Sequence, residues 1–362
     1  MTAATETPSQ RTARLLRQQA DACGVIGSVL YQTLLHRAAD DLLADGPTSR
    51  VLEGHLEDPG PSALALRMMG GVHALVLTGG VPDLARHYPS SPTYDGSTGN
   101  PADVWPDFVA VLDHHRDDVR EWLLRPPQTN EVGRGAALVG GLLHGAAEAQ
   151  LPIRLVEVGA SGGLNLRADR FRIDGEAGQY GDVGSPVNLG RAWLGVPPPA
   201  GSLEIVERYG GDLDPVDVST EAGRLLLAAY VWPDQVERVR RLRGAFELAD
   251  QLPATVRRES AEQTLARTDL AEGAWTVVWH SVFRQYLPAE VQREVTARIE
   301  ALGSQATASK RLAHLMLEPM RGTEWGRSSD FEFLVALQTW PGGERRVLAT
   351  AAPHGVPTTW ER

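Results

Sequence analysis

The chain has 362 residues, with 35 basic side chains against 46 acidic ones, a formal net charge of −11, one cysteine and 42% hydrophobic residues. At ~100–200 residues per domain this predicts about two globular domains with cores of ordinary size. The acidic balance argues against nucleic acid as a partner, because phosphate backbones are held by clustered cations. Cys23 alone can form neither an internal disulfide nor a thiolate metal cluster.

In chain order, apolar residues at helical spacing predict a helix within Gln10–Asp45, where Leu30, Leu34, Ala38 and Leu42 recur four apart. A short helix is expected over Ser62–Leu77, a loop over Tyr88–Pro101, and strong helices over Trp105–Leu124 and about Asn130–Glu148. Beyond Pro152 short apolar runs alternate with helical segments, the texture of a mostly parallel sheet with crossover helices. Seven strands are expected: Ile153–Val158, Leu203–Val206, Ala254–Arg257, Trp275–Trp279, His314–Leu317, Phe331–Gln338 and Arg346–Ala351. The last two lie too close for a crossover and should pair as an antiparallel hairpin that closes the sheet. The expected division is a helical domain, residues 1–148, followed by an α/β domain, residues 149–362, with an insertion at about 171–200. The longest apolar stretches, such as Leu225 to Trp232, fall far short of the ~20 residues of a membrane-spanning helix. The first thirty residues lack the features of a secretory signal, so the expectation is a cytoplasmic protein that takes no membrane or nucleic-acid partner.

The most informative segment runs from strand Ile153–Val158 into Gly159-Ala160-Ser161-Gly162-Gly163 and on to a helix. Gly159 and Gly163 let backbone approach a ligand, and a helix start offers N–H groups. The dinucleotide pattern G-x-G-x-x-G fails, because Ser161 and Leu164 occupy its second and third glycine positions. G-x-S-x-G is matched literally, which would make Ser161 the nucleophile of a hydrolase with His354 late in the chain; such an enzyme should carry several strands before the elbow. The third candidate is E-x-G-x-x-x-G, with Glu157, Gly159 and Gly163.

This last pattern resembles the first motif of class I S-adenosylmethionine (SAM) methyltransferases, and the order of parts over roughly Leu151–Trp360 is similar to that family. Gly211-Asp212-Leu213-Asp214 resembles its second-strand end, which implies Asp212 or Asp214 as the ribose acid. Glu259-Ser260 resembles the third-strand pair beside the adenine, and Trp279-His280-Ser281 the fourth-strand end facing the methyl donor. The gap from Glu157 to Asp212 exceeds the ~20 residues of a simple nucleotide-binding unit, hence the insertion. Nearly the whole chain also resembles a bacterial domain-of-unknown-function family with such a core, through Pro126–Arg134, Glu157–Leu166, Tyr230–Gln235, Val278–Ser281 and Gln285–Pro288. The resemblance implies a Rossmann-like seven-stranded fold, SAM as cofactor and a small-molecule acceptor, with Ala160, Ser161 and Asn165 completing the donor turn. Arg134, with Gln128 and Asn130, lies where a helix can fold over that site, and an arginine fork suits a carboxylate. His280 is the first candidate base, since imidazole titrates near the working pH and strand ends of open sheets bind ligands; Tyr286 is the second. Other expectations for the same donor are intramolecular displacement and binding without catalysis.

Overall fold

The computed structural model describes residues 6–96, 101–176, 178–325, 327 and 330–361. They form two compact units: residues up to Thr129 together with Arg224–Val239, and Asn130–Gly223 together with Arg240–Arg362.

The first unit is helical: α1 (Pro8–Val25), α2 (Val29–Leu43), α3 (Pro47–Leu52), α4 (Leu64–Leu77), α5 (Pro82–Ala85), α6 (Trp105–His114) and α7 (Arg116–Leu123). The helical pattern expected without interruption over Gln10–Asp45 breaks at Gly27, whose φ is +89°, and Ser28 restarts it by accepting the Tyr31 N–H. Leu16, Tyr31, Leu34, Leu35, Met68, Phe108 and Leu123 form the core. The late segment 224–239 is built into this unit. Trp232 joins the core, the Leu30 N–H and the Ser28 hydroxyl donate to Asp234 at 3.0 and 2.7 Å, and the Gln235 amide donates to the Ile26 carbonyl at 2.9 Å. A carboxylate at the start of α2 satisfies one N–H that the helix itself leaves unpaired, that of Leu30, together with the capping hydroxyl of Ser28. Tyr230–Gln235 is thus an anchor for the helical unit.

The second unit contains α8 (Gly135–Ala149), β1 (Ile153–Val158), β2 (Arg172–Gly175), β3 (Gln179–Tyr180), β4 (Asn188–Gly195) and β5 (Ile205–Asp212). Next come α9 (Glu221–Ala229) and α10 (Val236–Gln251), of which residues 224–229 and 236–239 belong to the first unit. The chain continues through β6 (Thr255–Arg258), α11 (Ala261–Arg267), β7 (Ala274–Ser281), α12 (Ala289–Gly303), β8 (Lys310–Arg321), β9 (Phe331–Trp340), β10 (Glu344–Ala351) and β11 (Thr358–Trp360). The division falls before α8 rather than at residue 148, because α8 packs on the sheet. Cβ atoms at its Gly141 and Gly145 would stand 2.5 Å from Leu315 and 2.3 Å from the Trp275 ring, so only glycine permits this approach.

One mostly parallel sheet has the order β3-β2-β4-β11-β10-β9-β8-β7-β1-β5-β6. Its parallel block β6-β5-β1-β7-β8 continues into the antiparallel pairs β8–β9 and β9–β10. All seven expected strands are present. The β9–β10 hairpin does not close the sheet, since β11, β4, β2 and β3 extend it further. The insertion at 171–200 supplies three of those strands. Strand β5 also runs past the expected Val206 into Gly210 and Gly211. A Cβ there would meet Ala160 at 2.6 Å and Thr264 Oγ1 at 1.8 Å, so the glycines serve close packing as well as the turn.

Strand alternation separates the two faces. Val158 and Val278 pack with Leu265, Val295 and Ile299 under α11 and α12. Trp275 and Leu315 face α8. Glu157 is paired in register with Trp279, so both side chains lie on the α8 face, and the neighbouring His280 points to the opposite one.

Candidate functional site

The turn after β1 is strained in a way that its sequence anticipates. Gly159, Ser161 and Gly163 have φ of +72°, +51° and +64°, a region that glycine enters without penalty and serine does not. The N–H groups of Gly159 and Ala160 donate to the Gly211 carbonyl at 2.9 and 3.1 Å. The Ser161 N–H donates to Asp212 Oδ2 at 2.9 Å, and the Asp214 N–H to Asp212 Oδ1 at 2.8 Å. Asp212 therefore buttresses the turn with both oxygens, while Asp214 forms an exposed ion pair with Arg258 at 2.8 Å.

Residues 130–134 close the other side. The Leu164 N–H, at the helix start, donates to Asn130 Oδ1 at 2.8 Å, and the Asn165 amide donates to the Glu131 carbonyl at 3.1 Å. Arg134 donates to the Ser281 carbonyl at 3.2 Å, placing its guanidinium near the carboxyl ends of β7 and β1.

Glu157 is only 3% exposed. Burial pushes its pKa up to about 8, nearby Asp212 adds to the rise, and the Trp279 indole and the Arg134 and Arg167 guanidiniums oppose it. The indole faces the carboxyl without reaching hydrogen-bond geometry. Glu157 Oε2 and Trp279 Nε1 are both buried without a hydrogen-bond partner, as is Asn165 Oδ1. Each such group costs about 1–3 kcal/mol if nothing satisfies it. Two acceptors and one donor are thus left open around a single turn.

Other expected site residues have different work. His280 is 1% exposed and has both ring nitrogens engaged, Nδ1 with Glu318 Oε1 at 2.6 Å and Nε2 with His314 Nε2 at 2.8 Å. Its burial on the α11–α12 face corrects its assignment as a base presented to a ligand at the Glu157 side. Glu259 accepts from the Tyr209 hydroxyl and from Arg267, and these partners hold its pKa low although burial acts the other way. Ser260 caps α11, sharing a reciprocal capping box with Gln263. Tyr286 is 70% exposed, on a short 3-10 turn. Ser281 ends β7 and contributes its carbonyl to Arg134. Gln128 belongs to the helical unit. Ser161 is buried at 4%, unlike an elbow nucleophile standing exposed above a sheet, and β1 is the first strand among the described residues.

The residues that sequence reasoning missed are Glu131, Phe283, Trp279 as a polar group, and the pair His314 and Glu318. Only the last two carry a sequence signal, a histidine and a carboxylate inside an apolar strand.

Residues 13–360 match the family described as "Uncharacterized protein conserved in bacteria (DUF2332)". The chain belongs to this family. No curated protein and no solved structure matches it. Among the described residues no helix is long and apolar enough to cross a membrane, and no group of three or more His, Cys, Asp and Glu could hold a metal ion.

Proposed function

We propose that this protein binds SAM at the Glu157–Gly163 turn and transfers its methyl group to a small-molecule acceptor, on a Rossmann-like methyltransferase core. One observation carries the reading. With the insertion β2–β4 set aside, the parallel block runs third-second-first-fourth-fifth in chain order, so the topology reverses between β1 and β7. Ligands of open α/β sheets bind outside the carboxyl ends of the strands at such a reversal. Glu157, Trp279, the glycine turn and Ser281 all lie there.

The open hydrogen-bonding groups fit the donor's amino-acid end. Glu157 Oε2 and Asn165 Oδ1 are acceptors suited to an ammonium group, and the Trp279 N–H suits a carboxylate; Arg134, which donates to the Ser281 and Pro353 carbonyls, adds a positive charge near Glu157. SAM would supply, when bound, a sulfonium methyl group that the acceptor attacks in line, with S-adenosylhomocysteine as the leaving group. The chain's own part is to hold the donor, exclude water and align the acceptor. A proton taken from the acceptor would need a base other than the core-facing His280. Asp212 keeps the turn in shape, so its part in donor binding is carried through the backbone of Ser161.

Calorimetric titration with SAM and S-adenosylhomocysteine tests the reading. Saturable binding that is lost in Glu157→Ala supports it, and absence of heat at millimolar ligand refutes it. Incubation with cell extract then separates methyl transfer from cyclisation of the donor and from binding alone, by the appearance of S-adenosylhomocysteine, 5′-methylthioadenosine or neither.

A further inference from the structure

Beyond β7 the chain leaves the sheet through Val282, at φ +49°, into Phe283 and Arg284. The Val282 N–H donates to the Leu317 carbonyl at 2.8 Å. The next two N–H groups turn to one side chain on β8, Glu318. Phe283 N–H lies 2.9 and 3.2 Å from its two oxygens, and Arg284 N–H 3.4 and 3.3 Å. The same carboxylate takes the Nδ1 hydrogen of His280, and His280 Nε2 is joined to His314 by a single proton. Burial together with the charges of His280, Arg284 and Arg345 drives the His314 pKa well down, so that ring is neutral.

A buried carboxylate is expensive unless its oxygens are well satisfied. Here the satisfaction falls on two successive peptide groups of one loop. That loop carries Phe283, whose ring lies 2.5 Å from the position that a Cβ on Gly159 would occupy. The glycine and the ring are made for each other.

We infer that Glu318 is a positioning residue of the candidate site: by fixing the Phe283–Arg284 backbone it seats the Phe283 ring against the Gly159 turn, with His280 and His314 steadying the carboxylate from within. The inference rests on the reading of that turn as the ligand site. In it the ring, packed with the Val158–Val278 core under α11 and α12 and 5.8 Å from the His280 ring, backs the turn from behind, and Glu318 sets where it stands.

A double-mutant cycle tests this. Affinity for S-adenosylhomocysteine is measured by calorimetry for the wild type, Glu318→Gln, Phe283→Ala and the double variant. Each single change should weaken binding about tenfold, and the double variant should bind no worse than Phe283→Ala, because Glu318 acts through the ring. Additive losses, or unchanged affinity in Glu318→Gln, overturn the inference. Without ligand, amide exchange at Phe283 and Arg284 should quicken at least about tenfold in Glu318→Gln while β1 amides hold their rates. Unchanged exchange at those two amides also overturns it. If Glu318→Gln does not fold, Glu318→Asp replaces it with the same expectations. Should the wild type bind no ligand, the SAM reading falls and the exchange measurement alone decides the positioning role.

Discussion

Two buried polar clusters lie near the carboxyl ends of neighbouring strands in one sheet, on opposite faces. On the α11–α12 face, Glu318, His280 and His314 satisfy one another and two peptide N–H groups. On the α8 face, Glu157 and Trp279 keep buried polar atoms with no hydrogen-bond partner. Burial is nearly equal in the two clusters, and what differs is satisfaction: the first network is closed, whereas Glu157 Oε2 and Trp279 Nε1 are left without a partner.

The largest expected effect comes from breaking the closed network. Glu318→Ala strands an imidazole and two N–H groups and should lower unfolding free energy by about 3–5 kcal/mol, measured by urea denaturation. Glu157→Ala should cost far less and abolish SAM binding; equal losses of stability from the two changes would erase the contrast. Next is a pH effect. The folded-state pKa of Glu157 is raised from 4.5 to about 8. Between those values the folded state holds a proton that the unfolded state has lost. The contribution is therefore full below pH 4.5 and disappears as pH rises to 8, by about 1.4 kcal/mol per unit. Buried His73 in the helical unit acts oppositely, since burial lowers its pKa from 6.5 to about 4 and stability is lost as pH falls through that window. The Glu157 effect is thus read as the difference between wild type and Glu157→Gln, with Gln gaining relative stability toward pH 8. A flat difference would mean that Glu157 is already ionised.

A subtler result concerns binding itself. If an ammonium group docks at Glu157, the carboxyl must ionise, so at pH 7 binding should release up to one proton. Calorimetry in buffers of different ionisation enthalpy would show this, and a buffer-independent enthalpy would remove Glu157 from the contact. The smallest effect expected is that of Gly163→Ala, which combines a φ of +64° with a Cβ 2.5 Å from Val256; it should cost about 1–3 kcal/mol of stability by urea denaturation.

Much of the α/β unit was legible because β1, β7 and β8 are long apolar runs whose composition speaks for itself. Strands β3 and β11 have two and three residues and take their conformation from neighbours, which no local pattern records. The glycine turn was legible for the same local reason, and Asp212 was found in place though with a different task. His280 was misassigned because a strand end is readable from sequence while the face a side chain points to depends on register. Glu318 and Phe283 meet the site through pairings 35 residues or more apart, known only once β7 and β8 lie side by side.

Strand β11 joins β10 on one side and β4 on the other. Three residues near the end of the chain thus connect the block holding the glycine turn to the strands of the insertion. During synthesis from the amino terminus, β2, β3 and β4 are made long before this connector. They cannot join the main sheet in the observed order until Thr358–Trp360 have been made, so the edge of β4 that β11 covers has no native strand partner before then.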